Sequence, residues 1–586
     1  MATYKQRTTP GVYVTELDAF PNSVVGVQTA IPVFIGYTEK AEISGKPIYY
    51  NPTKINSLAD YEALFGTGFR PTFNIEPVDD AAARKAQGSQ RVDDGTDDGA
   101  EDNYDFSCLR QTSVSPPVWT LKYYKFSRID KDLTTSESSG DVTAMYDVSA
   151  DITMAALPDF NLYNALRLFY ANGGGTCYIV SVGPYYDADK PATVSYEALA
   201  KGLHAAGEQS GPTMIVIPDA VLLPVEKSDD PEETPYNSQF YTLCQEMLAQ
   251  CAAKQDRVGI LDIYGANLLN QQSKGWSLQM DALIALFQEK IGEKNLNYGM
   301  AYFPFLVTSI VPPGEINYTN FNIDDPPQWL LLKGILDDQA DLLYSGTKLT
   351  TVKGYIEDMK DTTDPAAVIR LNQNLVNAIP LLKQMEDIMT MKMSLMPPSS
   401  AMAGVYTYTD GSRGVWNAPA NVTLTSVVTP NVTLDNEQQG GLNVPLNGKA
   451  INVIRQFVGR GPVVWGARTL DGNSADWRYI QVRRTLIYIE QSVEAALQPF
   501  VFAANDGKTW VAVTSMVSNF LQGLWSQGGL MGAKADEAFS VSCGLGSTMT
   551  PQDILDGYMI VQVTLQMIRP AEFIELTFKQ KMQGLG

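Results

Sequence analysis

Thr213-Met-Ile-Val-Ile217, then Phe240, Leu243, Cys244, Met247, Leu248 and Cys251, then Val258-Gly-Ile-Leu-Asp-Ile263 is the stretch that decides the fold. The two outer runs are short and apolar, and the residues between them recur at intervals of three and four. That pattern predicts strand, helix and strand in succession. The same alternation extends in both directions. Upstream, Leu162, Leu166, Phe169 and Tyr170 predict a helix ending at Asn172-Gly173-Gly174-Gly175, and Cys177 to Val182 a strand. Ser195 reads as the N-cap of a helix carrying Tyr196, Leu199 and Leu203. Downstream, Met280, Leu283, Ile284, Phe287 and Ile291 predict a helix, and Tyr298 to Val307 a strand. Ile31 to Tyr37 is expected in the same sheet. Such alternation argues for an α/β body, a mostly parallel sheet covered by helices.

Two stretches interrupt this body. Residues 66–150 show little apolar periodicity and contain the acidic run Arg91 to Asn103, so they are expected to form a surface insertion with an exposed acidic loop. Residues 313–396, between Pro312-Pro313 and Pro397-Pro398, carry helical patterns over Trp329–Leu343 and Ala366–Met393. Beyond 399 the pattern is mixed α+β. A helix is expected over 508–526, with Trp510, Val513, Val517, Phe520, Leu521, Leu524 and Trp525 on one face. A strand is expected over 558–568. No short internal repeat is present, which argues against a solenoid.

Both chain ends read as extended strands. Val12, Tyr13, Val14 and Thr15 follow Thr9-Pro10-Gly11, and Phe573, Ile574, Glu575, Leu576, Thr577 and Phe578 follow Pro570. A strand-forming end is adhesive unless it is paired. Each end either pairs within its own sheet or is donated to a neighbouring copy.

The 586 residues allow two to four domains. No apolar run reaches the roughly 18 residues of a membrane span. The opening MATYKQRTTPGVY lacks the apolar core of a signal peptide, so export by that route is not expected. The five cysteines are an odd number without a CxxC, with Cys244 and Cys251 on one helical stripe; buried reduced thiols are expected. A net charge of −22 argues against nucleic acid and anionic membranes as partners. One segment departs from this balance. Between Lys449 and Ile489 stand seven basic residues (Lys449, Arg455, Arg460, Arg468, Arg478, Arg483, Arg484) and two acidic ones (Asp471, Asp476). A local basic patch on an acidic chain favours self-association.

The chain offers little chemistry. His204 is the one histidine, with no second imidazole to share a metal and no GxSxG elbow to serve. No P-loop occurs, and Gly173-Gly174-Gly175 follows a helix rather than a strand, the wrong polarity for a phosphate turn. Asp219 and Asp262 stand near strand ends and could hold Mg²⁺, although aspartate there is also ordinary cap chemistry. Asp94, Thr96, Asp98, Gly99 and Asp105 trace an imperfect EF-hand register without flanking helices. The reading is therefore no catalytic residue, no metal and no cofactor. Its rival is a cytosolic Mg²⁺-dependent enzyme using Asp219 and Asp262, and a third reading is a non-contractile shell protein.

At this point the residues resemble a family. Thr9 to Glu16, Val24 to Val27 and Ile31 to Thr38 are similar to the opening of contractile tail sheath proteins, found in phage tails, R-type pyocins and extracellular contractile injection systems. Phe169 to Gly174 and Val216 to Ala220 continue the likeness. It is densest from Pro397 to Tyr406, through Asp410, Arg413 to Asn421, Leu442-Asn443, Asn452 to Arg455, Gly459 to Gly461 and Trp465 to Leu470. Trp477 to Ile480, Arg483-Arg484 and Pro570 to Thr577 complete it. Each motif is weak alone; their order and spacing are specific.

The resemblance implies a structural subunit that polymerises as a helical array or sixfold rings around an inner tube. Contraction, triggered at a baseplate, would drive the tube through a target membrane. It implies self, tube, baseplate and cap proteins as partners, no nucleic acid, no direct membrane insertion, and assembly in the cytoplasm. The domain map it implies is an N-terminal arm (1–22), an outer α/β domain (23–396) carrying both insertions, an inner mixed α+β domain facing the tube (397–568), and a C-terminal arm (569–586). Val12–Thr15 and Phe573–Phe578 would be the strands given to neighbours. Arg455, Arg460, Arg468, Arg478, Arg483, Arg484 and Lys534 are candidates for intersubunit or tube contacts.

Overall fold

The computed structural model describes residues 24–78, 105–114, 117–128, 160–187, 190–225, 236–272 and 275–573. The chain divides into a larger unit, residues 28–484, and a smaller one formed by 1–27 and 485–586.

The larger unit is built on an eight-stranded sheet. In chain order its strands are β1 (Pro32–Thr38), β2 (Thr53–Ile55), β3 (Cys177–Pro184), β4 (Met214–Val216), β5 (Val258–Leu261), β6 (Gly299–Phe303), β7 (Asn452–Phe457) and β8 (Gly461–Val464). Across the sheet they run β8-β7-β6-β5-β4-β1-β3-β2. The six from β7 to β3 are parallel, and an antiparallel strand closes each edge. All seven residues of β1 are buried, as a strand covered on both faces requires. Neighbouring side chains show the two covers. Phe34 meets Phe169 of helix Leu162–Ala171 edge to face, with centroids 5.1 Å apart. Ile35, on the opposite face, meets helix Tyr196–Glu208, where a methyl group added at Gly202 would lie 2.7 Å from Ile35 Cγ2. That glycine sets how closely helix and sheet approach.

The alternation read from sequence is present nearly as expected. Ser195 caps its helix by accepting from Ala198 N–H, and helices Ser238–Lys254 and Trp276–Lys290 occupy their expected places. The strand expected over 298–307 is broken into β6 and a separate Leu306–Thr308, which pairs with Leu395–Met396 and Val427–Pro430. The strand expected over 558–568 is shorter, Gln562–Leu565.

Three findings alter the reading. First, β7 pairs with β6 through Tyr302–Asn452 and Phe303–Val453. Residues 397–484 thus belong to the sheet-bearing unit, and the boundary expected at 396/397 falls instead at 484/485. The local pattern could not reveal this, because β7 finds its partner about 150 residues upstream. Secondly, the 66–150 insertion contains a three-stranded antiparallel sheet: Phe73–Val78, Pro117–Arg128 and Phe106–Val114. Its acidic loop, with the calcium candidates Asp94, Thr96, Asp98 and Gly99, lies outside the described residues. Asp105 is engaged elsewhere: it binds Lys392 at 2.8 Å and accepts from Phe126 N–H at 2.6 Å. Thirdly, the two insertions form one module. The helical one comprises Pro326–Leu343, Gly346–Asp361, Pro365–Ala378 and Pro380–Met393. Its Asp338 pairs with Arg110, and Gln328 accepts from Ile75 N–H at 2.7 Å. Phe73, Ile75, Phe106 and Phe126 are buried.

All five cysteines are free; four are buried, whereas Cys543 is half-buried.

Candidate assembly site

The aspartates proposed for Mg²⁺ are structural caps. Asp219 follows β4 and is fully buried. Its Oδ2 accepts from Tyr37 N–H at 2.8 Å and its Oδ1 from Asn161 N–H at 2.6 Å. It thereby sits at the N-terminus of helix Leu162–Ala171, beside the place where the order of the sheet reverses and open α/β folds take ligands. The chain supplies its own anion there. Asp262, after β5, does the same for helix Ser399–Arg413, accepting from Ser399 N–H at 2.8 Å and Ser399 Oγ at 2.6 Å. Burial pushes both carboxyls up to about 7, against the pull of these donors. Among the described residues no group of three or more His, Cys, Asp or Glu is placed to hold a metal ion. His204 is exposed.

A prediction follows from the cap at Asp262. Asp262→Ala strands the buried Ser399 N–H and should cost about 1–3 kcal/mol. Asp262→Asn keeps an acceptor and should cost less. The folded carboxyl titrates near 7, above its unfolded value of about 3.9. Its stabilising contribution is complete below about pH 4 and declines as pH rises through 7. The Asn variant should therefore gain on the parent between pH 6 and 8. Denaturation midpoints at the two pH values measure this, and a parallel pH dependence in both proteins contradicts it.

The basic residues are mostly committed within the chain. Arg483 lies between the rings of Tyr298 and Trp477, 4.2 and 4.1 Å from their centroids. Arg484 binds Asp410, and Lys449 binds Glu293 at 2.7 Å. Arg468, Arg483 and Arg484 are all buried, so their side chains are closed to a partner. Arg455 is half-buried and donates to Asn436 and Gln439; Arg478 is half-buried and donates to Ser474 O. Arg460 and Lys534 are exposed. The net positive count of the segment is not a surface property, because a buried guanidinium and an exposed one read alike in sequence.

The smaller unit holds the unsatisfied structure. Helix Ile480–Leu497 continues into it across the boundary. Helix Gly507–Ser526 is capped by Asp506, which accepts from Thr509 N–H, and buries Val513, Met516, Val517, Leu521 and Leu524. A hairpin-like pair follows, β9 (Phe539–Ser542) and β10 (Gln562–Leu565). Phe539 faces Leu565 and Val541 faces Val563, while Ser540, Ser542, Gln562 and Thr564 share the other face. Among the described residues this sheet has two strands, so both outer edges are unpaired. Beside β10 runs a groove of about 470 Å³. Ile489, Val493 and Leu497, one helical stripe, form one wall, and Val563 and Leu565 the other; Glu490 and Glu494 also line it. A two-stranded sheet is marginal by itself. This one has open edges and an apolar bed beside one of them. Sequence reasoning found the strand around 562–565 but missed β9, whose alternation spans only four residues.

Residues 473–581 match the family described as the phage tail sheath C-terminal domain, a range that contains β9, β10 and the residues lining the groove. The chain is similar to tail sheath proteins. The tail sheath protein of Vibrio phage KVP40 is 24% identical over 256 residues, 43% of this chain and 36% of that protein. The tail sheath protein of Burkholderia phage BcepMu is 30% identical over 159 residues, 25% of this chain and 32% of that protein. The chain thus spans about a third of the length of the curated relatives it matches. The anti-feeding prophage helical sheath in its contracted state matches over 98% of this chain and 100% of its own, with 25% identity and a TM-score of 0.51. The likeness extends to the mixed α/β fold.

Proposed function

We propose that this chain is the structural subunit of a contractile sheath, forming a helical array around an inner tube and shortening to drive that tube through a target membrane. The observation that carries this is the β9–β10 sheet with its unpaired edges and apolar groove. Its occupants would be the terminal strands of neighbouring copies, Val12–Thr15 and Phe573–Phe578. Apart from Phe573, which is 76% exposed, these residues lie outside the described structure. An alternating strand laid along β10 places every second side chain toward the helix stripe. Ile574, Leu576 and Phe578 have that spacing, and Lys579 and Lys581 follow them toward a groove that Glu490 and Glu494 help to line. A heterologous contact of this kind, repeated without closing, gives a helical array. Baseplate and cap proteins would bound the array, and assembly would take place in the cytoplasm. Arg455, Arg460, Arg478 and Lys534 remain the candidates for contacts with other copies or the tube.

The energy of shortening would come from two packings of the same subunits that differ by a few kcal/mol each and switch together. Contraction is expected to proceed without added nucleotide. Imaging purified particles before and after a mild denaturant pulse tests the reading. Long and short forms of one array support it; a single fixed length would favour a static shell, and contraction only with ATP would count against stored energy.

A further inference from the structure

The chain passes between its units at residues 27–28 and 484–485. Within the larger unit, both of these ends meet at one buried ion pair. Arg484 Nη1 donates to Asp410 Oδ1 at 2.8 Å, and Nη2 to Oδ2 at 2.6 Å. Their side chains are 4% and 5% exposed. Thr29 Oγ1 donates to the same Oδ2 at 2.6 Å, and Arg484 Nη2 also donates to Thr29 O at 3.3 Å. The guanidinium lies 4.6 Å from the centroid of Tyr406, whose hydroxyl is 2.9 Å from that of Tyr302. The grip continues along the chain. Thr407 Oγ1 donates to Ala30 O at 3.4 Å, and Thr213 Oγ1 accepts from Ile31 N–H at 2.9 Å. Pro32 then begins β1, in the interior of the sheet.

A buried charge pair is a poor source of stability, since apolar residues of like size hold a core as well or better. What this pair supplies is direction. It grips an extended segment that has no strand partner until Pro32, and it is itself anchored on helix Ser399–Arg413. Bidentate arginine–carboxylate geometry fixes position as well as energy.

We propose that Asp410 and Arg484 are positioning residues that set where the N-terminal segment leaves the larger unit. Tension on that segment is then taken by the ion pair and helix Ser399–Arg413 and not by β1. This rests on the reading that the N-terminal segment is an arm held by another copy.

The test uses the full-length chain held below its polymerising concentration, with hydrogen exchange followed in peptides covering 24–31 and 33–36. Thr29→Val keeps the ion pair and removes only the hydroxyl that joins it. Asp410→Asn removes the charge. The expected result is exchange about tenfold faster over 24–31 in Thr29→Val, and faster still in Asp410→Asn, with 33–36 unchanged in Thr29→Val. Unchanged exchange over 24–31 overturns the proposal, as does equal acceleration over 33–36 in Thr29→Val, which would make the pair a support of the sheet. In assembled particles, Thr29→Val sheaths should form normally and tear or shed subunits on contraction; intact contraction counts against the proposal. Polymerisation of a chain lacking 1–16 would defeat the arm reading alone, because the exchange result is read on the lone subunit.

Discussion

Chains lacking residues 1–16, or residues 573–586, are expected to remain folded and monodisperse and to form no tubes. The reasoning begins with what each end can contribute. A donated strand of four to six residues makes several main-chain hydrogen bonds at about 0.5–1.5 kcal/mol net each. Ile574, Leu576 and Phe578 add about 1.5–3 kcal/mol apiece if buried. Ordering the segment returns a large part of this. A net loss of about 4 kcal/mol per contact still raises the polymerising concentration roughly a thousandfold. The body should not notice the deletion. The central sheet begins at Pro32, and the described apolar core of the larger unit lies between Ile31 and Val482. Electron microscopy with circular dichroism checks both halves. Intact tubes from either truncated chain would remove the arms from the mechanism.

Leu565→Lys and Val493→Lys, made separately, should each prevent polymerisation while leaving the subunit's denaturation midpoint within about 1 kcal/mol of the parent. Both side chains are half-buried in the subunit and line the groove from opposite walls. A lysine there meets water in the free subunit, so folding loses little. Under a docked strand it must be desolvated or extrude the strand, and several kcal/mol is then lost at every contact. The neighbourhood of Glu490 and Glu494 softens the charge cost but does not restore the apolar surface. Seeded growth followed by light scattering reads the effect. Normal elongation by both variants would show that the groove is empty in the assembly.

The sequence showed some of this site and concealed the rest. Alternation of Val12 with Val14, and of Ile574 with Leu576 and Phe578, is a local property and reads as terminal strands in the sequence, although these residues lie outside the described structure. Asp219 and Asp262 were visible as carboxylates at strand ends, and their capping role was one of two readings left open. The partner donors, Tyr37 N–H with Asn161 N–H and Ser399 N–H, are far away along the chain and could not be paired with them beforehand. The arginines misled for the same reason. Arg483 and Arg484 look like a basic surface until Tyr298, Trp477 and Asp410 are brought around them.

Periodicity alone determined that the body is a helix-covered parallel sheet, because strand and helix repeats are set by neighbours two to four residues apart. Only the folded chain decided that β7 crosses about 150 residues to join β6, that two insertions make one module, and that a groove opens beside β10. Those outcomes depend on which distant surfaces fit once loops close, and loop closure costs so little per added residue that spacing along the chain does not choose among them.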